Sequence, residues 1–193
     1  MASGTGSLLG ALLRRAAADD SGFTVTDVVL DRECPARGIA DEAGVPVHVC
    51  APADHPDRAA WDTALTGTVA ACDPDWVVTA GFMRLLGADF LARFGGRVVN
   101  SHPALLPAFP GAHGVADALD YGVKVTGATV HLVDGGVDTG PIIAQGTVPV
   151  QPDDTVESLH ERIKNLERDL LPDVVERVVA RGVISDGRKA YIP

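Results

Sequence analysis

Short β-branched runs alternate with helical stretches along most of this chain, and that alternation limits the fold more than any other feature. Residues 24–30, 45–49, 76–80, 97–101 and 125–133 read as strands, and residues 8–18, 36–43, 57–72 and 88–94 read as helices. A strand followed by a helix and another strand builds parallel pairing, because the crossover returns the chain to the same end of the sheet. The expected fold is α/β, with a doubly wound, mostly parallel sheet. From Thr126 the pattern alternates more strictly, and residues 140–150 read as a further strand pair in a mixed or antiparallel C-terminal extension. A long helix is expected over about 155–180, with Thr155 as N-cap and Leu159, Ile163, Leu166, Leu170, Val174 and Val178 on one face. Pro172 inside it predicts a kink or break. Val183 and Ile184, the turn Ser185-Asp186-Gly187 and residues 190–192 read as a hairpin.

A length of 193 residues suits one domain, taken here as residues 1–193, with enough chain to bury a core without a disulfide or metal staple. Sixteen Lys and Arg against 26 Asp and Glu give a net charge of −10, which argues against a nucleic-acid partner, since such partners are met with a basic excess. Any anionic ligand must be met by a local site. Cys34, Cys50 and Cys72 are odd in number and lack C-x-x-C spacing, and the six histidines lack H-x-x-x-H spacing, so free thiols and no metal are expected. With no signal-like segment and no apolar run near the roughly 20 residues that span a bilayer, the expected location is cytoplasmic, with no membrane partner.

One irregularity lies at the start. Ser3-Gly4-Thr5-Gly6-Ser7 reads as the turn after the first strand of a doubly wound sheet, yet only Met1 and Ala2 precede it. Upstream strand residues are therefore expected, with Met1 as an internal position of that strand. The backbone N–H groups of Gly4 to Leu8, followed by a helix N-terminus, can form an anion-binding nest. Gly10 falls one place late for G-x-G-x-x-G and no Lys completes a P-loop, which disfavours a dinucleotide or nucleoside triphosphate, while a tight turn without ligand remains an open alternative.

A sharper set follows in Asn100-Ser101-His102-Pro103. Strand residues two apart share a face, so Asn100 and His102 are expected to project together from the carboxyl end of a strand, where open α/β sheets place their ligands. A carboxamide can donate to a developing oxyanion, and an imidazolium offers charge and a proton. Asp134 and Asp138 bracket a glycine-rich turn; a carboxylate near His102 would favour its protonated form, whereas Asx-turn chemistry accounts for one aspartate more readily than for both. A serine hydrolase is disfavoured, because no G-x-S-x-G occurs and Ser101 should face away from His102. Ser101, His113 and His131 are read as structural or supporting residues.

The segments Asn100-x-His102-Pro103-x-Leu105-Leu106-Pro107, Gly127-Ala128-Thr129-Val130-His131 and Val137-Asp138-x-Gly140-Pro141-Ile142-Ile143, with the Gly111 loop, resemble the 10-formyltetrahydrofolate-dependent formyltransferases. Residues 3–7, Ala80-Gly81-Phe82-Met83-Arg84-Leu85-Leu86 and Glu167 are similar to the branch that formylates phosphoribosylglycinamide in de novo purine synthesis. The resemblance covers nearly the whole chain. It implies a Rossmann-like formyltransferase fold, 10-formyltetrahydrofolate as co-substrate with no tightly bound cofactor, small-molecule partners only, and a monomer or homodimer.

By the same resemblance, Asn100, His102 and Asp138 are catalytic, Gly6, Ser7 and Leu8 hold the ribose phosphate, and Glu167 contacts the ribosylglycinamide. Arg58, Met83, Arg84, Leu85, Leu86 and Asn100 are implied for folate, with Arg84 near the anionic benzoylglutamate end and the 133–138 loop beside the pterin. Two features depart from the family: Leu8 stands where Asn is common, and the first strand is missing. The rival readings are a formyltetrahydrofolate deformylase, whose usual His-His pair is His102-Pro103 here, other formyltransferases that carry a further domain, and a non-catalytic nucleotide-binding Rossmann module.

Overall fold

The computed structural model describes all residues, Met1 to Pro193. They form two compact units, Met1–Val99 and Asn100–Pro193, and the boundary falls inside one strand. The architecture is α/β, with open sheets and six α-helices.

Unit 1 contains α1 (Ser7–Ala16), β1 (Val28–Leu30), α2 (Ala36–Glu42), β2 (Val47–Val49), α3 (Arg58–Ala71), β3 (Val77–Thr79), α4 (Ala88–Phe94) and the start of β4 (Val98–His102). β1 and β2 pair in parallel, with Val28 opposite Val47 and Leu30 opposite Val49. Of residues 24–30, only the last three form a strand, since these are the ones that find β2 as a partner. Ala2 bridges to Leu30 in parallel, its N–H donating to Val29 O, while the Ala80 N–H donates to Met1 O. The Met1 ammonium donates to Val78 O at 2.7 Å, and burial pulls its pKa from 8.0 down to about 5.

Helix α3 is capped by Asp57, whose side chain accepts the Ala60 N–H at 2.8 Å. Asp62, buried on the same helix, accepts the N–H groups of Gly87 and Asp89 and so satisfies the start of α4. Trp61, Leu65, Phe90 and Phe94 are almost wholly buried, and the two phenylalanine rings lie 4.8 Å apart.

Unit 2 contains the end of β4, then α5 (Gly114–Tyr121), β5 (Val125–Leu132), β6 (Ile142–Pro149), α6 (Val156–Arg181), β7 (Ile184–Asp186) and β8 (Lys189–Tyr191). Its strand order is β4-β5-β6-β8-β7, with β5 and β6 antiparallel, β8 parallel to β6 and β7 antiparallel to β8. The mixed extension is as expected, but residues 140–150 supply one strand and not a pair. Its whole length is used in pairing with β5, from Val125 opposite Pro149 to His131 opposite Ile142.

Thr155 caps α6 through a reciprocal bond with Ser158. Pro172 does not break this helix, which runs through to Arg181. Leu171, Val174 and Val175 beside it are buried, and packing on both sides of the proline offsets a cost of about 3 kcal/mol for an interior helix proline. Val115, Ala128, Val148, Leu159 and Ile163 form the core of this unit. Helix α5 is not among the expected helices: Val115, Ala118 and Leu119 stand at helical spacing, but eight residues give too short a run to single out.

Candidate active site

Asn100 and His102 occupy the end of β4 in unit 2, two residues apart on an extended backbone, so they leave the strand on one face while Ser101 leaves on the other. His102 is 4% exposed. Its Nε2 lies 2.8 Å from Phe109 O, and its Nδ1 lies 3.3 Å from Asp138 Oδ2. Both neighbours are acceptors, so each ring nitrogen faces an oxygen.

Asp138 is held in turn. Its Oδ2 accepts the Gly111 N–H at 2.7 Å, and its Oδ1 lies 3.7 Å from His131 Nε2. Phe109 and Asp138 both adopt positive φ, 54° and 53° respectively, a region that side-chain-bearing residues rarely enter and that Asp tolerates better than an aromatic. Two strained residues thus grip one imidazole, each at a cost of about 1 to 3 kcal/mol. Gly114 opens α5 against them. A Cβ there would stand 2.8 Å from Phe109 O and 3.2 Å from His102 Nε2, so only glycine lets the helix start so close.

His131, read from sequence as a supporting residue, joins the site directly. Its Nδ1–H donates to Leu132 O at 2.8 Å, which leaves Nε2 to accept from Asn100 Nδ2 at 3.1 Å. Burial pushes the His131 pKa down, against smaller opposing effects of the Leu132 bond and Asp138, so the ring is neutral. The Asn100 carboxamide is therefore oriented by an imidazole, and it carries a second N–H by its chemistry. The β5–β6 ladder shifts register beside His131, where Ile143 of β6 is left without a partner in β5. The pattern along β5 alone could not reveal the contact, because Asn100 comes to it from β4.

Ser101 also does more than fill the opposite face. Its hydroxyl donates to Glu167 Oε1 at 2.6 Å, and Glu167 is 7% exposed. Burial raises the Glu167 pKa, with the Ser101 bond and His102 acting the other way. Thr129 ties down the chain after His102: its hydroxyl donates to Ala104 O at 2.6 Å and accepts the Leu106 N–H at 3.0 Å. Of the two bracketing aspartates, Asp134 closes its own turn by accepting from Gly136 N and Thr139 Oγ1, so Asp138 alone reaches His102. His113 is the N-cap position of α5 and is exposed.

Unit 1 holds the other expected residues. Gly6 is the N-cap of α1 with φ 76°, and a Cβ there would lie 2.8 Å from the Ala36 Cα, so glycine is required twice over. The first-turn N–H groups of Ser7 and Leu8 have no acceptor within the helix, and no acidic side chain lies in that turn. Arg84 donates through Nε to Asp31 Oδ2 at 2.7 Å. The Asp31 side chain is fully buried; burial would raise its pKa, but Arg84, Ser3 and Arg32 together outweigh this and hold it low. Arg58 donates to Leu85 O and stacks 4.9 Å above the Trp61 ring. Pro52, His55, Asp57, Arg58, Trp61 and Arg84 line a pocket of ≈ 270 Å³. Met83 and Leu85 are 63% and 58% exposed, apolar side chains facing solvent within unit 1.

A formyl transferase family model matches residues 1–175, and the chain belongs to that family. The phosphoribosylglycinamide formyltransferase of Mycobacterium tuberculosis is 62% identical over 190 residues, which is 98% of this chain and 88% of the relative. That of Bacillus subtilis is 36% identical, covering 98% of this chain and 96% of the relative. Among solved structures, glycinamide ribonucleotide transformylase 1 of Symbiobacterium toebii superposes with a TM-score of 0.96 at 40% identity, covering 99% of this chain and 91% of that one.

Proposed function

We propose that this chain is a phosphoribosylglycinamide formyltransferase, moving the formyl group of 10-formyltetrahydrofolate to the amine of 5-phosphoribosylglycinamide in purine biosynthesis. The observation that carries this reading is the convergence of Asn100, His102 and Asp138, with 3.3 Å between His102 Nδ1 and Asp138 Oδ2. Family membership of a chain 62% identical to such an enzyme supports it. A nucleotide-binding module without catalysis would have no use for that set.

The chemistry follows from the residues. The substrate amine attacks the formyl carbon, the carbonyl π pair moves onto oxygen, and a tetrahedral oxyanion forms. Asn100, oriented by His131, donates to that oxygen, and the His102 imidazolium stabilises its charge. Collapse breaks the bond to the folate nitrogen, which leaves with a proton, while the amine that attacked loses one. Asp138 balances the imidazolium and orders this exchange.

Gly6, Ser7 and Leu8 take the ribose phosphate through backbone N–H groups at the start of α1, a mode in which the Leu8 side chain is not needed. Glu167 takes the ribosylglycinamide portion. Arg58, Met83, Arg84, Leu85, Leu86 and Asn100 serve the folate. The family match runs through both units, which supports reading residues 1–193 as one formyltransferase domain. No helix is long and apolar enough to cross a membrane, and we assign the enzyme to the cytoplasm, as a monomer or homodimer without a nucleic-acid partner.

The test is formyl transfer from 10-formyltetrahydrofolate to the ribonucleotide. The wild-type chain should catalyse it, and His102→Ala should lower kcat by about 10² to 10⁴-fold. A wild type without transfer, or a variant at full rate, rejects the assignment. Formate release that needs no acceptor amine would identify a deformylase instead.

A further inference from the structure

We propose that Asp27, His48 and Cys72 form a binding site for one zinc-type divalent cation, built from residues to which formyl transfer assigns no role. Asp27 immediately precedes β1, His48 is the middle residue of β2 opposite Val29, and Cys72 is the C-cap of α3. Asp27 and Val29 share a face by the two-residue period, and His48 pairs at the Val29 position, so carboxylate and imidazole leave the sheet together. Asp27 Oδ1 and His48 Nε2 lie 2.8 Å apart, and one donor atom from each of the three residues lies within 4.8 Å of the others.

A tetrahedral ion with ligand bonds of about 2.0 to 2.3 Å spaces its donors roughly 3.3 to 3.8 Å apart, so modest side-chain rotations suffice here. Only the close Asp27–His48 pair must open, and the His48 side chain is 42% exposed and able to move.

The donor set selects the ion. Imidazole, carboxylate and thiolate together suit zinc, whereas calcium and magnesium take oxygen alone. A divalent ion held by one carboxylate, one thiolate and one neutral imidazole has no net charge, which fits three side chains that are each partly buried. Binding releases the thiol proton, together with any proton on His48 Nε2, to solvent, and water completes the coordination. Without the ion, burial and the Asp27 charge beside it push the Cys72 thiol pKa up, and its Sγ–H donates to Thr68 O at 3.3 Å. Linear spacing conceals the site, because 48 − 27 = 21 and 72 − 48 = 24 residues separate the ligands on three different elements.

The full chain titrated with Co²⁺ alone should bind one equivalent, showing a thiolate-to-cobalt charge-transfer band and tetrahedral visible bands that Zn²⁺ displaces. Cys72→Ser should abolish the charge-transfer band, Cys34→Ser and Cys50→Ser should keep it, and His48→Ala should weaken binding at least tenfold. Formyl-transfer rates should be unchanged in Cys72→Ser and His48→Ala. In the unaltered chain, Zn²⁺ should slow alkylation of Cys72, followed by mass spectrometry, at least tenfold, a measurement that needs no variant to fold. Absence of the band at stoichiometric Co²⁺, its survival in Cys72→Ser, or unprotected Cys72 would overturn the proposal.

Discussion

His102 Nδ1 stands 3.3 Å from Asp138 Oδ2, and the same imidazole is held from its other side by Phe109 O at 2.8 Å. The ring is therefore set between two acceptors, fixed in direction before any substrate arrives. Pre-set charge of this kind is effective in catalysis because little reorganisation remains for the moment of reaction.

Asp138→Asn removes the carboxylate that faces His102 Nδ1 and accepts the Gly111 N–H. A folded variant should lose about 10²-fold or more in kcat with little change in KM for the ribonucleotide. Steady-state kinetics checks this, and a variant at full rate assigns Asp138 no part in the reaction.

Gly114→Ala places a methyl group 2.8 Å from Phe109 O, which belongs to the backbone and cannot swing aside. Phe109 or the start of α5 must shift, carrying His102 with it. A displacement near 1 Å costs on the order of 10²-fold in rate, so kcat should fall by about that factor while KM for the ribonucleotide changes little. A normal kcat in a folded variant would contradict the claimed grip on the ring.

Glu167 is a buried acid whose pKa lies above its unfolded value. The native state then holds more protons than the unfolded one between those two values, so stability declines as pH rises through that window and levels off above it. Glu167→Gln keeps an acceptor for Ser101 and removes the titration. Urea unfolding of both chains from acid to neutral pH should show the variant gaining on the wild type as pH rises; parallel curves would contradict the raised value.

Much of the fold was legible in the chain because its signals are local. The helices around Ala36–Glu42, Arg58–Ala71 and Ala88–Phe94 and the long α6 follow from apolar spacing and, for α6, from the Thr155 cap. Asn100 and His102 were readable as a pair because strand geometry puts i and i+2 on one face. Glu167 could be named only through family resemblance, and Asp138 was readable only as one of two aspartates around a turn, since nothing local ties either to β4. His131 escaped because its partner, Asn100, reaches it from β4, 31 residues away along the chain. The span of β6 reads in sequence as a pair because its partner, β5, lies in another stretch of chain. Pro172 predicts a kink or break by propensity alone, which does not count the packing of Leu171, Val174 and Val175 around it.

The sequence by itself determined the α/β class, the glycine at the start of α1, and the carboxamide and imidazole at the end of β4. Each rests on steric periods or backbone angles that a few adjacent residues impose. Only the tertiary structure decided that Asp138 and Phe109 clasp His102, that His131 aims Asn100, that Ser101 reaches Glu167, and that Asp27, His48 and Cys72 meet. Those relationships join residues far apart along the chain. Their physical cause is close packing, which leaves buried polar groups few partners and so makes the approach of distant elements the deciding term.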